Sequence, residues 1–306
     1  MRIGINASAQ ILFGTPLEAV AEQAAEAEQQ GFGSFWLNQL SGTDAITALS
    51  VIGRDTSSIE LGTAVVPTWG RHPEVLAGQA LTAQAATGNR LVLGIGLAHQ
   101  SSVEGRYKLA FERPVRHLRE YLDVLVPLLV DRAVDVEGEI WSCTTEMTAP
   151  PADPPQVIVA ALGPQMLRLT GARADGTILW LVGPKTVGDH IAPTIGGAAE
   201  AAGRAAPRVV ASVPVAVTDD PDGVRQAIGG ILAGYNELPS YRAMLDREGA
   251  DGPADVAIVG TEDEVHAHLD RFADAGATDF GAVEFGLSDD DLARTREALR
   301  AYDGRA

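Results

Sequence analysis

The feature that most constrains this chain is alternation. Short apolar segments of strand type recur between longer helical ones along the whole sequence, at residues 2–8, 34–39, 59–67, 90–96, 157–162, 176–182, 207–217 and 279–285. Most read as near-continuous runs of Val, Ile, Leu and Ala rather than as apolar–polar alternation. Strands buried on both faces of a parallel sheet read this way. Eight such units point to a closed (β/α)8 TIM barrel more than to an open doubly wound sheet. A barrel of this kind takes about 250 residues, so a chain of 306 has room for insertions. Residues 134–141 read as a small hairpin, residues 221–248 as helical with an irregular section near "NELPS", and 253–260 as an extended connection. No low-complexity linker divides the chain, and residues 1–306 read as one domain. Local signals agree. Thr15 and Pro16 open the first helix and Gly31 stops it, while Thr261 and Glu264 form a capping box for the helix after residue 260.

Composition narrows the function. A net charge of −18 argues against nucleic acid or an anionic membrane as partner. It leaves room for an anionic cofactor held by backbone N–H groups. The N-terminus "MRIGINAS" lacks the apolar core and cleavage site of a signal peptide, so a cytoplasmic protein is expected. The single cysteine, Cys143, rules out an internal disulfide framework and a cysteine metal cluster. No His, Asp and Glu pattern suits a metal, since His266 and His268 sit two positions apart on a helix and face different ways.

A barrel carries its chemistry where strands end and βα loops begin. The strand ends here offer Asn6, Asn38 with Gln39, Trp69, His99 with Gln100, and Trp180. The loop "AALGPQ" adds Ala161, Leu162, Gly163 and Pro164. There is no carboxylate pair for glycoside hydrolysis, no nucleophile elbow and no phosphate-binding Walker loop. Amides, aromatics and small residues dominate. Such a lining suits a conjugated heterocycle that brings its own redox chemistry. Elsewhere, His72 before Pro73 reads as a helix-entry residue, His117 as structural, and Asp175 with Gly176 as the turn into the sixth strand at the barrel bottom.

Five segments, taken in order, carry a family resemblance: "GFGSFWLNQL", "LGTAVVPTWGRHPEVLAGQA", "NRLVLGIGLAHQ", "REYLDVLVPLL" and "VIVAALGPQMLRLTGARADGTILW". Together they resemble the luciferase-like monooxygenase superfamily, specifically its actinobacterial branch of oxidoreductases that use the deazaflavin coenzyme F420. The resemblance implies hydride transfer between F420 and a small organic substrate, a homodimer, and a separate enzyme that reduces the cofactor. Alternatives are an FMN-dependent monooxygenase with a partner reductase, and a cofactor-binding protein without turnover.

The resemblance also assigns residues. It implies a cis peptide at Ala64–Val65 behind the deazaflavin ring, a phosphate at Ala161 to Pro164, and cofactor contacts from Asn38, Gly96 and Gln100. Gly94 and Gly96 would let the ring approach the strand. His99 stands where relatives carry a catalytic acid, and either transfers a proton or only shapes the polar edge of the cofactor. Sugar-phosphate-oxidising relatives carry Asp-His where this chain has Asn38-Gln39. Gln39 cannot accept a proton at neutral pH. Oxidation of an alcohol needs a base, so reduction of an activated C=C or C=N bond is the expected direction. Asn6, Trp69 and Trp180 are expected to line the substrate pocket.

Overall fold

A computed structural model describes residues 1–9 and 14–303 of the chain. In chain order the strands are β1 (Arg2–Asn6), β2 (Ser34–Leu37), β3 (Glu60–Thr63), β4 (Val66–Pro67), β5 (Leu91–Gly96), β6 (Ala133–Val136), β7 (Cys143–Glu146), β8 (Gln156–Val159), β9 (Gly176–Trp180), β10 (Arg208–Ser212), β11 (Pro214–Val217), β12 (Ile258–Gly260) and β13 (Asp279–Glu284). The principal helices are α1 (Leu17–Gln29), α2 (Ala45–Ile52), α3 (Pro73–Ala86), α4 (Pro114–Val130), α5 (Pro164–Arg173), α6 (Ala192–Ala201), α7 (Pro221–Leu232), α8 (Pro239–Glu248), α9 (Glu262–Asp274) and α10 (Asp289–Asp303). Strands β1, β2, β3, β5, β8, β9, β10 and β13 pair in parallel in that order, and β13 returns to β1. The sheet therefore closes as the expected eight-stranded barrel.

Local expectations fare unevenly. Helix α1 begins at Leu17 with Pro16 as its N-cap, one residue later than Thr15 and Pro16 imply. The hairpin is real but shifted. Its strands are β6 and β7, and the run "EGEIW" is the connection between them. Residues 207–217 are not one strand. They break at Val213, so that β10 pairs the start of β13 while β11 pairs its end. Strand β12 then extends β11, turning the expected connection into part of the sheet. Thr261 and Glu264 form the capping box as the sequence implies, and the His72 side chain caps α3 by accepting from the Glu74 N–H at 3.2 Å.

Two layers of side chains fill the barrel. Outward-facing strand residues join the inner faces of the helices in one large apolar layer. The alanines of α1 and α3 are spent there: Ala24, Ala27, Ala77 and Ala80 are fully buried. Inside the barrel, Trp36 packs with Val92, Ile158, Ile178 and Val210. Glycine makes room for the indole, because a Cβ on Gly62 would lie 2.1 Å from the Trp36 ring. The indole N–H donates to Ser34 Oγ at 2.7 Å.

The N-terminal end of the barrel is closed by charge. Arg208 donates to Glu60 at 2.8 Å, to Asp279 at 2.8 Å and to the Gln156 amide oxygen at 2.7 Å. Arg2 adds a bond to Asp279 at 2.8 Å. Burial alone would raise the Asp279 carboxyl, but the hydrogen bonds and charge of Arg208 outweigh it and hold the group below its ordinary value. Asp175 also lies at this end, accepting from the Val157 N–H at 2.8 Å and from Arg204 at 2.9 Å.

Two outcomes follow for stability. Gly62→Ala forces Cβ into the indole and should cost about 2 kcal/mol, as overpacked cores do; a melting temperature equal to that of the parent would contradict this. Because the Asp279 carboxyl is depressed by folding, its contribution is complete above the unfolded carboxylate pKa of about 3.9 and fades as pH falls below it. Asp279→Asn should therefore lose about 2 kcal/mol at pH 7 and progressively less below pH ~4, measured by denaturant titration at each pH.

Candidate active site at the barrel mouth

The mouth is organised by a bulge between β3 and β5. Gly62 pairs with Val92 and, four residues on, Val66 pairs with Ile95 only three residues on. The extra residue is absorbed by the Thr63 side chain. Its hydroxyl donates to the Gly94 carbonyl at 2.7 Å and accepts from the Gly94 N–H at 2.8 Å. Above it the Ala64–Val65 peptide is cis. The same segment is tied to β2, since Ala64 N–H donates to Leu37 O at 2.7 Å and Gln39 N–H donates to Val65 O at 3.2 Å. Asn38 sits between those two bonds, so Asn38, Ala64 and Val65 come together at the mouth.

The role expected for Gly94 and Gly96 changes accordingly. A Cβ on Gly94 would lie 1.8 Å from the Thr63 carbonyl oxygen, and one on Gly96 would lie 2.7 Å from a Val65 methyl. The glycines admit the bulge, and the space over them is filled by protein. Gly96 is itself buried, with Val65 packed over it.

The polar groups are oriented by neighbours. Gln39 Oε1 accepts from the Ala45 N–H at 3.3 Å and from Arg71 at 3.4 Å. Both partners only donate, which fixes the amide and leaves its NH₂ as the free end. Arg71 is held in turn by Asp44. Asn6 donates to Ser212 Oγ at 3.0 Å and accepts from Ser8 N–H at 3.2 Å. Asn38 Oδ1 and Trp69 Nε1 are buried with no hydrogen-bond partner among the described residues. The Gln100 side chain is exposed and donates to Glu104 at 3.1 Å.

The histidines separate clearly. His117 is fully buried and stacks on Trp69 at 3.8 Å. The Trp141 indole N–H, which can only donate, reaches His117 Nδ1 at 3.4 Å, so the ring proton sits on Nε2 and faces Thr68 Oγ1 at 3.0 Å. Burial lowers this imidazole to about 4, against a small opposing pull from Glu120. His117 therefore shapes the wall behind Trp69. His99 follows Leu97 and Ala98, the latter in the left-handed region at φ 56°. It faces the edges of Tyr235 at 6.0 Å and Tyr241 at 5.7 Å. Burial lowers its pKa too.

Across the mouth, β8 ends in Ala160 and a short loop to α5. Gly163 is the N-cap of α5, and no side chain caps that terminus. A Cβ on Gly163 would touch nothing within 4 Å. His190 Nε2 bonds the Leu162 carbonyl at 2.9 Å and fixes the loop from beneath.

Comparison with known proteins places this geometry. A family model described as luciferase-like monooxygenase matches residues 1–279. The chain belongs to the luciferase-like monooxygenase family. A 5,10-methylenetetrahydromethanopterin reductase of Methanolobus tindarius is 25% identical over 279 residues, 90% of this chain and 81% of the relative. An F420-dependent glucose-6-phosphate dehydrogenase of Nakamurella multipartita is 34% identical over 221 residues, 67% of this chain and 63% of the relative. The solved coenzyme F420-dependent tetrahydromethanopterin reductase of Methanopyrus kandleri superposes with a TM-score of 0.80 at 20% identity, covering 99% of this chain and 97% of its own.

This family member carries mouth residues that strand-end reasoning missed. Tyr235 and Tyr241 come from the irregular turn and helix beyond β11, where "GYNELPSY" is the only sequence signal. They meet each other at 4.8 Å, and Tyr235 meets Trp180 at 6.3 Å.

The His117 assignment has a direct check. Its imidazole should titrate near 4 with the neutral proton on Nε2, read from ¹⁵N shifts of labelled protein. Since folding lowers the pKa, its contribution to stability is complete above about 6.5 and declines as pH falls toward the folded value. A midpoint near 6.5, or the proton on Nδ1, would contradict the Trp141–His117–Thr68 chain.

Proposed function

We propose that this chain is an oxidoreductase that holds coenzyme F420 at the barrel mouth and uses it to reduce an activated C=C or C=N bond of a small organic substrate. The named relatives that use F420 support the cofactor. Features of the mouth fit such a group. The N-terminus of α5, opened by Gly163 and Pro164 and without a side-chain cap, turns the backbone N–H groups of its first turn after Pro164 and a favourable dipole to a phosphate, without a lysine. The loop residues Ala161 and Leu162 bring that terminus to the mouth. The buried Asn38 oxygen without a partner awaits a donor such as a ring N–H. Ala64 and Val65 give the apolar backing. When bound, the coenzyme supplies the hydride.

The observation that carries the direction is the fixed Gln39 amide. Its oxygen is engaged by Arg71 and Ala45, so it presents N–H donors where oxidation of an alcohol would need a base. His99 is uncharged at neutral pH and offers one N–H and one lone pair. Of the four histidines around the mouth, His72, His99, His117 and His190, it is the one whose ring makes no hydrogen bond to a described residue. We assign it the proton delivered to the substrate. Trp69 and Trp180 line the substrate side, and Asn6 braces the floor through Ser212. A separate reductant enzyme must regenerate the reduced cofactor, and a homodimer is proposed as the assembly, tested by light scattering at micromolar concentration.

Titration of the purified protein with F420 and with FMN tests the reading. F420 should bind more tightly; equal or tighter FMN would favour the monooxygenase alternative. His99→Ala should slow single-turnover cofactor oxidation by roughly 10²–10⁴-fold with F420 affinity changed only a few-fold. An unchanged rate would move the proton source to solvent.

A further inference from the structure

We propose that His190 is a positioning residue for the cofactor phosphate: its ring N–H holds the Leu162 carbonyl and thereby turns the Gly163 N–H toward the phosphate. The proposal rests on the reading that F420 seats its phosphate at the start of α5, and adds what aims that terminus.

The loop between β8 and α5 has no ladder to fix its carbonyls. Pairing with β9 stops at Val159 and Thr177. Side chains from the next part of the chain take over. The Thr177 hydroxyl reaches the Val159 carbonyl at 2.8 Å and the Ala161 carbonyl at 3.4 Å. His190 Nε2 meets the Leu162 carbonyl at 2.9 Å. A carbonyl oxygen only accepts, so the ring proton sits on Nε2.

The peptide plane carries the consequence. Among the described residues the one cis bond is Ala64–Val65, so Leu162–Gly163 is trans. In a trans peptide the C=O and the N–H point in opposite directions. The carbonyl is turned onto a buried histidine, and the Gly163 N–H is therefore turned away from it. No described residue accepts from that N–H. The space beside the glycine is open, since a Cβ there would touch nothing within 4 Å. Pro164 has no N–H to offer, which leaves Gly163 as the outermost donor ahead of Gln165 and Met166. A peptide free to rotate would exchange this donor for a carbonyl oxygen, and that oxygen would repel an anion.

One stretch of chain holds α5 at both ends. His190 lies in a π turn, Val187–Ile191, that runs directly into α6. Helix α6 packs on α5 so closely that a Cβ on Gly171 would lie 2.3 Å from the Ile195 carbonyl. Gly171 thus seats the C-terminal half of α5, and His190 sets its N-terminal loop. Turns of the π type are rare and recur at functional sites; here one carries the histidine that sets the loop.

The test compares F420 with the deazaflavin ring and ribityl chain lacking the phosphate. Each is titrated into wild type, His190→Leu, His190→Asn and His190→Gln, following ligand fluorescence. Leucine removes the donor. Asparagine is too short to reach the carbonyl and repeats the test where the leucine variant does not fold. Glutamine can donate to the same oxygen. F420 affinity should fall about tenfold in the first two variants and recover to within about threefold of wild type in His190→Gln, while the phosphate-free ligand binds all four proteins within about twofold. Equal losses for both ligands, unchanged F420 affinity in His190→Leu or His190→Asn, or no recovery in His190→Gln overturns the proposal. A second readout needs no cofactor. The Gly163 amide, assigned by its absence from Gly163→Ala, should shift when inorganic phosphate is titrated into ¹⁵N-glycine-labelled wild type, and not in His190→Asn. If wild type binds neither deazaflavin but the phosphate shift behaves this way, the cofactor reading falls and the role of His190 stands. If the wild-type Gly163 amide ignores phosphate, the role of His190 falls even where F420 binds.

Discussion

The mouth of this barrel depends on one side chain. Thr63 is fully buried, and its hydroxyl exchanges two hydrogen bonds with the backbone of Gly94. A parallel ladder is normally evenly spaced. Here a side chain substitutes for a missing backbone partner, and the strand can rise out of register without leaving a buried N–H or C=O unpaired. Everything above that point follows. Val65 is carried over β5, Ala64 and Gln39 bond across to complete the seam with β2, and Asn38 is held between them. The glycines of β5 are the complement of this arrangement, since a methyl group on Gly94 would collide with the Thr63 carbonyl.

The two ends of the barrel divide the work. The lower end concentrates charge, with Arg208 and Arg2 gathering Asp279 and Glu60 into a closed network. The interior is sealed by Trp36 and its apolar neighbours. The upper end carries amides, imidazoles and phenols, with Arg71 paired to Asp44 beside Gln39.

Much of this was legible in the sequence because it is written locally. Continuous apolar strands between helices imply the closed parallel sheet, and Thr261 with Glu264 marks a helix start by its own chemistry. The break at Val213 was not legible, because "RVVASVPVAV" is apolar throughout and only the pairing partners divide it. Gly94 and Gly96 announce a close approach without saying what approaches. Here it is the neighbouring strand. Tyr235 and Tyr241 escaped notice for a different reason: they arrive from an insertion rather than from a strand end, and only three-dimensional contact links them to His99. Among the described residues no cluster could hold a metal ion, and no helix is long and apolar enough to cross a membrane.

The proposed cofactor seat stands on the Thr63 bulge. Thr63→Val keeps the shape of the side chain and removes both bonds to Gly94, each buried group then costing about 1–3 kcal/mol. Titration of F420 into the folded variant is the most direct measurement. Affinity should fall by about tenfold or more while circular dichroism still reports an intact barrel. Wild-type affinity in a variant whose melting temperature has dropped would show that Thr63 serves the fold alone.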